Sequence, residues 1–149
     1  MLTKNSSSAF KTLMLEMLKC HGDFSKVNSH IRSSTIKCTV KQTYPRFLIS
    51  DGTFFMQGFL TKDAFNKFHG SKTHNITDLK EAVITISKWE CELLTAIGPQ
   101  EATSYNGLEM RLIIHDFKVK EGEHVNMIRV PANLYRDDDV KSHILLYIS

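Results

Sequence analysis

The sequence predicts a mainly β fold, a five-stranded barrel with one helical flank at its N-terminal side and another at its C-terminal side. Three observations predict it. Ile36, Cys38 and Val40 alternate with Lys37, Thr39 and Lys41, the period of a half-buried strand. Asp51-Gly52 stands between two apolar runs, Arg46–Ser50 and Thr53–Leu60, as a hairpin turn does. Helical spacing is confined to the two flanks and one short insertion.

The elements follow in order. Residues 1–8 are polar and Ser-rich and are read as a flexible N-terminus, leaving 9–149 as one domain. Phe10, Leu13, Met14, Met17 and Leu18 form the apolar face of a three-turn helix, with Ser7 or Ser8 as cap and Gly22 as stop. The first strand runs from Ile36 and breaks at Thr43-Tyr44-Pro45. In the third strand Met56, Gly58 and Leu60 share one face, and Phe55, Gln57 and Phe59 the other. Asp51-Gly52 is expected to make a tight primed turn, which requires positive φ. Thr61 is expected to cap a helix over Lys62–Phe68, with Ala64, Phe65 and Phe68 inward, and residues 69–80 to form a loop. Ala82–Glu90 and Leu108–Val119 are the last strands, joined by a long connector with turn signals at Gly98-Pro99 and Asn106-Gly107. Val125–Val130 and Pro131 follow. Asp137, Asp138 and Asp139 suit a helix N-terminus, so Val140–Ile148 is read as a terminal helix, with a strand as the alternative. Its apolar end, Ile144–Ile148, requires burial by something.

Composition narrows the function. No run of eighteen apolar residues exists, and no secretory signal is visible at the N-terminus. Three scattered cysteines, Cys20, Cys38 and Cys91, argue against a disulfide framework and for a reducing compartment. The seven histidines show no paired ligand spacing, so no metal and no cofactor is expected. No phosphate loop, nucleophile elbow or zinc-deaminase signature occurs, so the chain is read as a non-enzyme. Net charge is only +3, but residues 1–75 carry eleven Lys/Arg against four Asp/Glu, and residues 76–149 eight against twelve. The basic half suits phosphate or an acidic peptide, and the acidic half a basic partner.

Three strands, a helix and two strands, with a hairpin between the second and third, is the order of the oligonucleotide/oligosaccharide-binding (OB) fold. Pro45-Arg46-Phe47-Leu48-Ile49-Ser50-Asp51-Gly52-Thr53 resembles the strand-turn of the N-terminal OB domain of the replication protein A large subunit. Met56–Leu60 with Thr61-Lys62-Asp63-Ala64-Phe65 is similar to the matching stretch of the shelterin OB domain that recruits telomerase. Val83–Trp89 fits the fourth strand of both, and the similarity spans about residues 8–135. The resemblance implies a domain that often binds proteins rather than DNA. It places Arg46 at a groove arginine, with Lys37 or Lys41 supplying another. The chain departs from the pattern after Asn106-Gly107, where Leu108 and Glu109 stand in place of basic residues.

Candidate binding residues lie on the strands. Phe55, Gln57 and Phe59 are read as the outward ligand face, with Arg46 and Leu48 on the paired strand. The competing reading turns these phenylalanines into the barrel. Lys37, Lys41, Arg46, Lys88 and Arg111 are a candidate basic stripe. Trp89, the single tryptophan, is either a stacking platform or core. The expected function is a non-catalytic OB subunit of a nuclear DNA-handling complex, of replication or telomere type. It acts mainly through other protein subunits, with single-stranded DNA or RNA as a secondary ligand and no membrane contact. The alternatives are an autonomous single-strand binder and an accessory subunit of a DNA-modifying enzyme such as a methyltransferase.

Overall fold

A computed structural model describes residues 8–71, 75–95, 103–124 and 130–149. The first helix, α1 (Ala9–Lys19), begins where expected because the Ser8 side chain accepts a hydrogen bond from the Lys11 N–H. Ser8 is buried and therefore belongs to the fold rather than to a flexible tail; residues 1–7 lie outside the described residues. Phe10, Leu13, Met14, Met17 and Leu18 are all buried, as their spacing requires. The helix stops because His21 and Gly22 both take positive φ, and the Gly22 N–H returns to the Met17 carbonyl at 2.8 Å. A short α2 (Ser29–Arg32) follows.

Five strands then close a barrel: β1 (Ile36–Gln42), β2 (Leu48–Ser50), β3 (Phe54–Leu60), β4 (Ala82–Thr95) and β5 (Leu108–His124). Pairings β1–β2, β2–β3, β1–β4 and β4–β5 are antiparallel, and β3–β5 is parallel, which seals the cylinder. This is the OB arrangement that the strand order predicts. Both final strands run longer than their apolar patterns. Ile49, Met56, Ile84, Ile86, Leu112 and Ile114 fill the interior. The interior is tight at Gly58, where a Cβ would stand 3.1 Å from Ile114 Cδ1 and 3.2 Å from Ile49 Cδ1, so a side chain there would press on both isoleucines.

The Asp51-Gly52 hairpin is real, but its turn is not the expected primed one. Gly52 takes φ +100°, Asp51 does not take positive φ, and Asp51–Thr53 form a three-residue loop organised by the Asp51 carboxylate. The primed geometry occurs at Asn106-Gly107, φ +50° and +80°, where Tyr105 and Leu108 exchange both backbone hydrogen bonds.

Helix α3 (Lys62–Ser71) starts on the Thr61 hydroxyl, which accepts from the Ala64 N–H at 3.1 Å. It outlasts the expected Phe68 end. Ala64 faces inward and the Phe68 ring meets Phe117 at 5.8 Å, but Phe65 faces out. The segment expected as loop also holds a 3-10 turn, Ile76–Leu79, that buries Leu79. The Gly98-Pro99 turn and residues 125–129 lie outside the described residues. A two-residue strand, β6 (Ala132–Asn133), runs parallel to the start of β3. Helix α4 (Asp138–Ile148) is a helix and not a strand, because the Asp137 carboxylate caps it through the Val140 N–H and acidic residues fill its first turn. Val140 and Ile144 pack inward, and Lys11 of α1 pairs with Asp137 and Asp139 at 3.1 and 3.6 Å. The greasy end is only half covered, since Leu145, Leu146 and Ile148 are exposed.

Among the described residues, no helix is long and apolar enough to cross a membrane, and no group of three His, Cys, Asp or Glu side chains is placed to hold a metal. Burial pushes the Cys38 and Cys91 thiols up, so both stay protonated at neutral pH.

Candidate nucleic-acid interface

The outer face of β3 is built by simple alternation. Met56 and Gly58 point into the barrel, so Phe55, Gln57 and Phe59 point out and remain half-exposed. Both phenylalanine rings therefore lie outside the barrel rather than in its interior. Each ring is met by a cation from a different strand.

Lys41 reaches Phe55 from two strands away. Its place in β1 is irregular: Val40 pairs with Ile49 and Gln42 with Leu48, so Lys41 is the extra residue of a bulge. The bulge re-aims the side chain across β2, where Phe55's partner is the small Ser50. The Lys41 ammonium ends 4.5 Å from the Phe55 ring centre. On the other edge, Arg111 projects from β5, and its guanidinium lies 4.8 Å from the Phe59 ring centre. These are cation–π distances.

Arg111 is also held from behind. Its Nε donates to Glu109 Oε1 at 3.2 Å, and the Glu109 side chain is only 3% exposed while that of Arg111 is 41% exposed. Residues 109 and 111 share the outward face of β5 because they are two apart on one strand. A buried carboxylate needs a partner, and Arg111 is the one this face provides.

Gln57 lies between the two rings and pairs with Leu48. Leu48 faces the same way but is 7% exposed, so it supports the face rather than presenting to solvent. The ladder continues to Phe47, whose carbonyl accepts from the Gly58 N–H at 2.9 Å, and this brings Arg46 level with Phe59. Lys41, Phe55, Gln57, Phe59 and Arg111 thus gather on one surface, with the Arg46 backbone beside its Phe59 end.

The remaining candidates lie elsewhere. Lys37 is exposed at the far end of β1, beside Thr85. Lys88 stands opposite Asp116 on β4, about 20 Å along the strand direction from the level of Lys41. Trp89 is 8% exposed, donates from Nε1 to the Ser34 carbonyl at 2.8 Å, and packs on Phe24 with ring centres 5.3 Å apart. It anchors the linker before β1 and is not on the face. Leu108 and Glu109, read as departures from a basic groove, are buried. Two residues escaped sequence reasoning: Glu109 as the holder of Arg111, and Asp51 as a carboxylate that organises both its own loop and α1. The second had a signal, since an Asp at the head of a turn commonly binds its own backbone two residues on.

A family model described as "Telomere-binding protein beta subunit (TEBP beta)" matches residues 19–149. The chain is 46% identical over 138 residues to "Telomere-binding protein subunit beta" of Sterkiella nova, covering 92% of this chain and 36% of that protein. It is 44% identical to the protein of the same description from Stylonychia mytilus, over 92% of this chain and 35% of the relative. The chain thus spans about a third of the length of these relatives. Among solved structures, the Est3 telomerase subunit of the yeast Hansenula polymorpha is similar with a TM-score of 0.57, covering 76% of this chain and 75% of that one. At 14% identity this is a likeness of fold.

Proposed function

Because the chain belongs to the telomere-binding protein beta subunit family, we propose that it is a non-catalytic OB subunit of a nuclear, telomere-associated assembly that contacts single-stranded nucleic acid through the outer face of β3. The observation that carries this reading is the pair of phenylalanines on that face, each met by a cation. Unpaired bases present flat π faces and a phosphate on every nucleotide. Aromatic rings with adjoining cations complement both at once. The test is titration of the purified chain with a fluorescent single-stranded oligonucleotide carrying the source organism's chromosome-end repeat, against a duplex of equal length. Phe55→Ala should weaken single-strand binding by about tenfold, in keeping with roughly 1–3 kcal/mol per stacked base. Unchanged affinity would remove Phe55 from the interface, and no binding at low salt would remove the reading.

A second surface favours contact with other protein subunits. Helix α4 turns Leu145, Leu146 and Ile148 to solvent, Leu146 at 73% exposure, while its other side packs on α1. Apolar side chains clustered at one helix end are a liability on a lone monomer and an asset at an interface. Replacing Leu146 with Asp is expected to leave the thermal midpoint within about 2 °C of wild type, since surface changes cost little. The same change should abolish co-purification of the partner subunit from the native source. Retention of that partner, or a well-behaved soluble monomer in the native extract, would count against this mode.

A further inference from the structure

We infer that the two cations on this face have different jobs: Arg111, clamped by the buried Glu109, is a fixed stacking surface for a base, and Lys41 is the mobile group that meets a phosphate. The inference rests on the single-strand reading above and divides its labour.

Neither ring is bare in the free chain, so a base cannot simply settle on it. Lys41 covers Phe55 and Arg111 covers Phe59. A base arriving at either ring must displace the cation or stack upon it. The two cations differ in how easily they leave.

Lys41 sits at a bulge on a flexible four-carbon stem, and its ammonium is a compact charge that stacks on nothing. Moving it off Phe55 costs only a partly hydrated cation–π contact, which an arriving phosphate replaces. Arg111 is not free in that way. Its Nε is bonded to Glu109 at 3.2 Å, and withdrawal would strand a carboxylate whose side chain is 3% exposed. Its guanidinium is flat and its carbon lies over the Phe59 ring at 4.8 Å from the ring centre, a spacing from which a planar ligand can stack on the guanidinium in turn. Glu109 also balances its charge, which weakens its pull on phosphate while leaving its stacking surface intact. The result is a composite platform of carboxylate, guanidinium and ring, in which Glu109 is the positioning residue.

Salt dependence separates the two roles, because each phosphate neutralised on a single strand contributes about 0.7 to the slope of log K against log salt. The same oligonucleotide is titrated across a salt series against wild type, Lys41→Ala, Arg111→Lys and Glu109→Gln. Lys41→Ala should make the slope shallower by about 0.7. Arg111→Lys keeps the charge and loses the flat surface, so it should bind several-fold more weakly with an unchanged slope. Glu109→Gln unbalances Arg111 and should steepen the slope by about 0.7. If Glu109→Gln does not fold, the paired change Glu109→Leu with Arg111→Leu, which removes both charges together and strands neither, serves in its place: weaker binding at unchanged slope is expected, and a slope shallower by the Lys41 amount would make Arg111 a phosphate contact and overturn the proposal. An unchanged slope for Lys41→Ala overturns it as well. Failure of wild type to bind at all would instead remove the single-strand reading, and this division with it.

Discussion

Asp51→Ala is expected to lower the stability of the chain by about 3 kcal/mol, reading as a fall of roughly 6–12 °C in thermal midpoint for a domain of this size. The magnitude follows from the number of donors that one carboxylate satisfies. Oδ1 accepts from the Thr53 and Phe54 N–H groups, both at 2.9 Å, and this makes the β2–β3 loop. Oδ2 accepts from the Phe10 N–H at 3.0 Å and from the Ser8 hydroxyl, and this docks the start of α1 on the barrel. Alanine leaves all four donors without this acceptor, and Ser8 and Phe10 are too buried for water to replace it fully. The negative charge also faces a helix N-terminus, where it is favoured. Asparagine keeps one acceptor oxygen and turns the other position into a donor, so it can serve the loop or the helix but not both. Asp51→Asn should therefore cost about half as much as alanine. Urea titration checks this, with a lowered midpoint and unchanged slope. An unmoved midpoint would mean that α1 is held by its apolar face and the Lys11 ion pairs alone.

Tyr135→Phe should cost about 2–3 kcal/mol although it removes a single oxygen. Tyr135 is 1% exposed, and its hydroxyl accepts from the Met110 N–H at 2.9 Å and donates to the Met110 carbonyl at 3.2 Å. The reason lies in the topology. Strand β3 pairs with β5 at Gly58–Leu60 and Leu112–Ile114, but its first residues pair with β6 instead. Among the described residues Met110 therefore has no strand on that side, and the phenol takes the place of one. Phenylalanine fills the same space and leaves two buried backbone groups unpaired. Hydrogen exchange at the Met110 amide should accelerate in the variant, and unchanged protection there would defeat the argument. Burial also pushes the phenol's pKa well above its ordinary value. The unfolded chain then releases this proton first as pH rises past about 10, so stability from the neutral phenol is present below that value and declines above it. The alkaline loss should be smaller in Tyr135→Phe than in wild type.

The parts of this molecule that sequence reveals are those set by neighbours in the chain. Alternation at Ile36–Val40 and Met56–Gly58 gives the correct facing of both strands, because one side of each is buried. Ser8, Thr61 and the aspartates before Val140 mark helix starts because a cap serves donors only two or three residues away. What escapes is set by contacts distant in sequence. Trp89 is the clearest case. Alternation from Ile84 and Ile86 would turn Trp89 outward, but irregularities between Ile86 and Lys88 and between Lys88 and Trp89 reverse the phase, so Trp89 and Cys91 turn in. No local rule announces a bulge. Asp51-Gly52 suits either a primed turn or a carboxylate-organised loop, and the choice falls to the latter where α1 presents donors nearby. The candidate site divides likewise. Phe55, Gln57 and Phe59 are readable from one strand, whereas the pairing of Lys41 with Phe55 and the burial of Glu109 exist only once the strands meet.

The substitution of a side chain for a strand at Met110 bears on the order in which the molecule can be made. As the chain leaves the ribosome, the β1–β2–β3 meander can form from residues already in hand. The far edge of β3 cannot be completed then, because its neighbours there are Leu112–Ile114 and, later still, Ala132 and Asn133. The phenol that finishes the seam on β5 comes with that last stretch. For much of its synthesis the nascent protein therefore carries an open, Phe-rich edge, the kind of surface that invites pairing with other chains. Contacts so distant in sequence also make closure slow. This barrel is thus sealed from its C-terminal side, and the interval before sealing is when the open edge of β3 is most exposed to pairing with other chains.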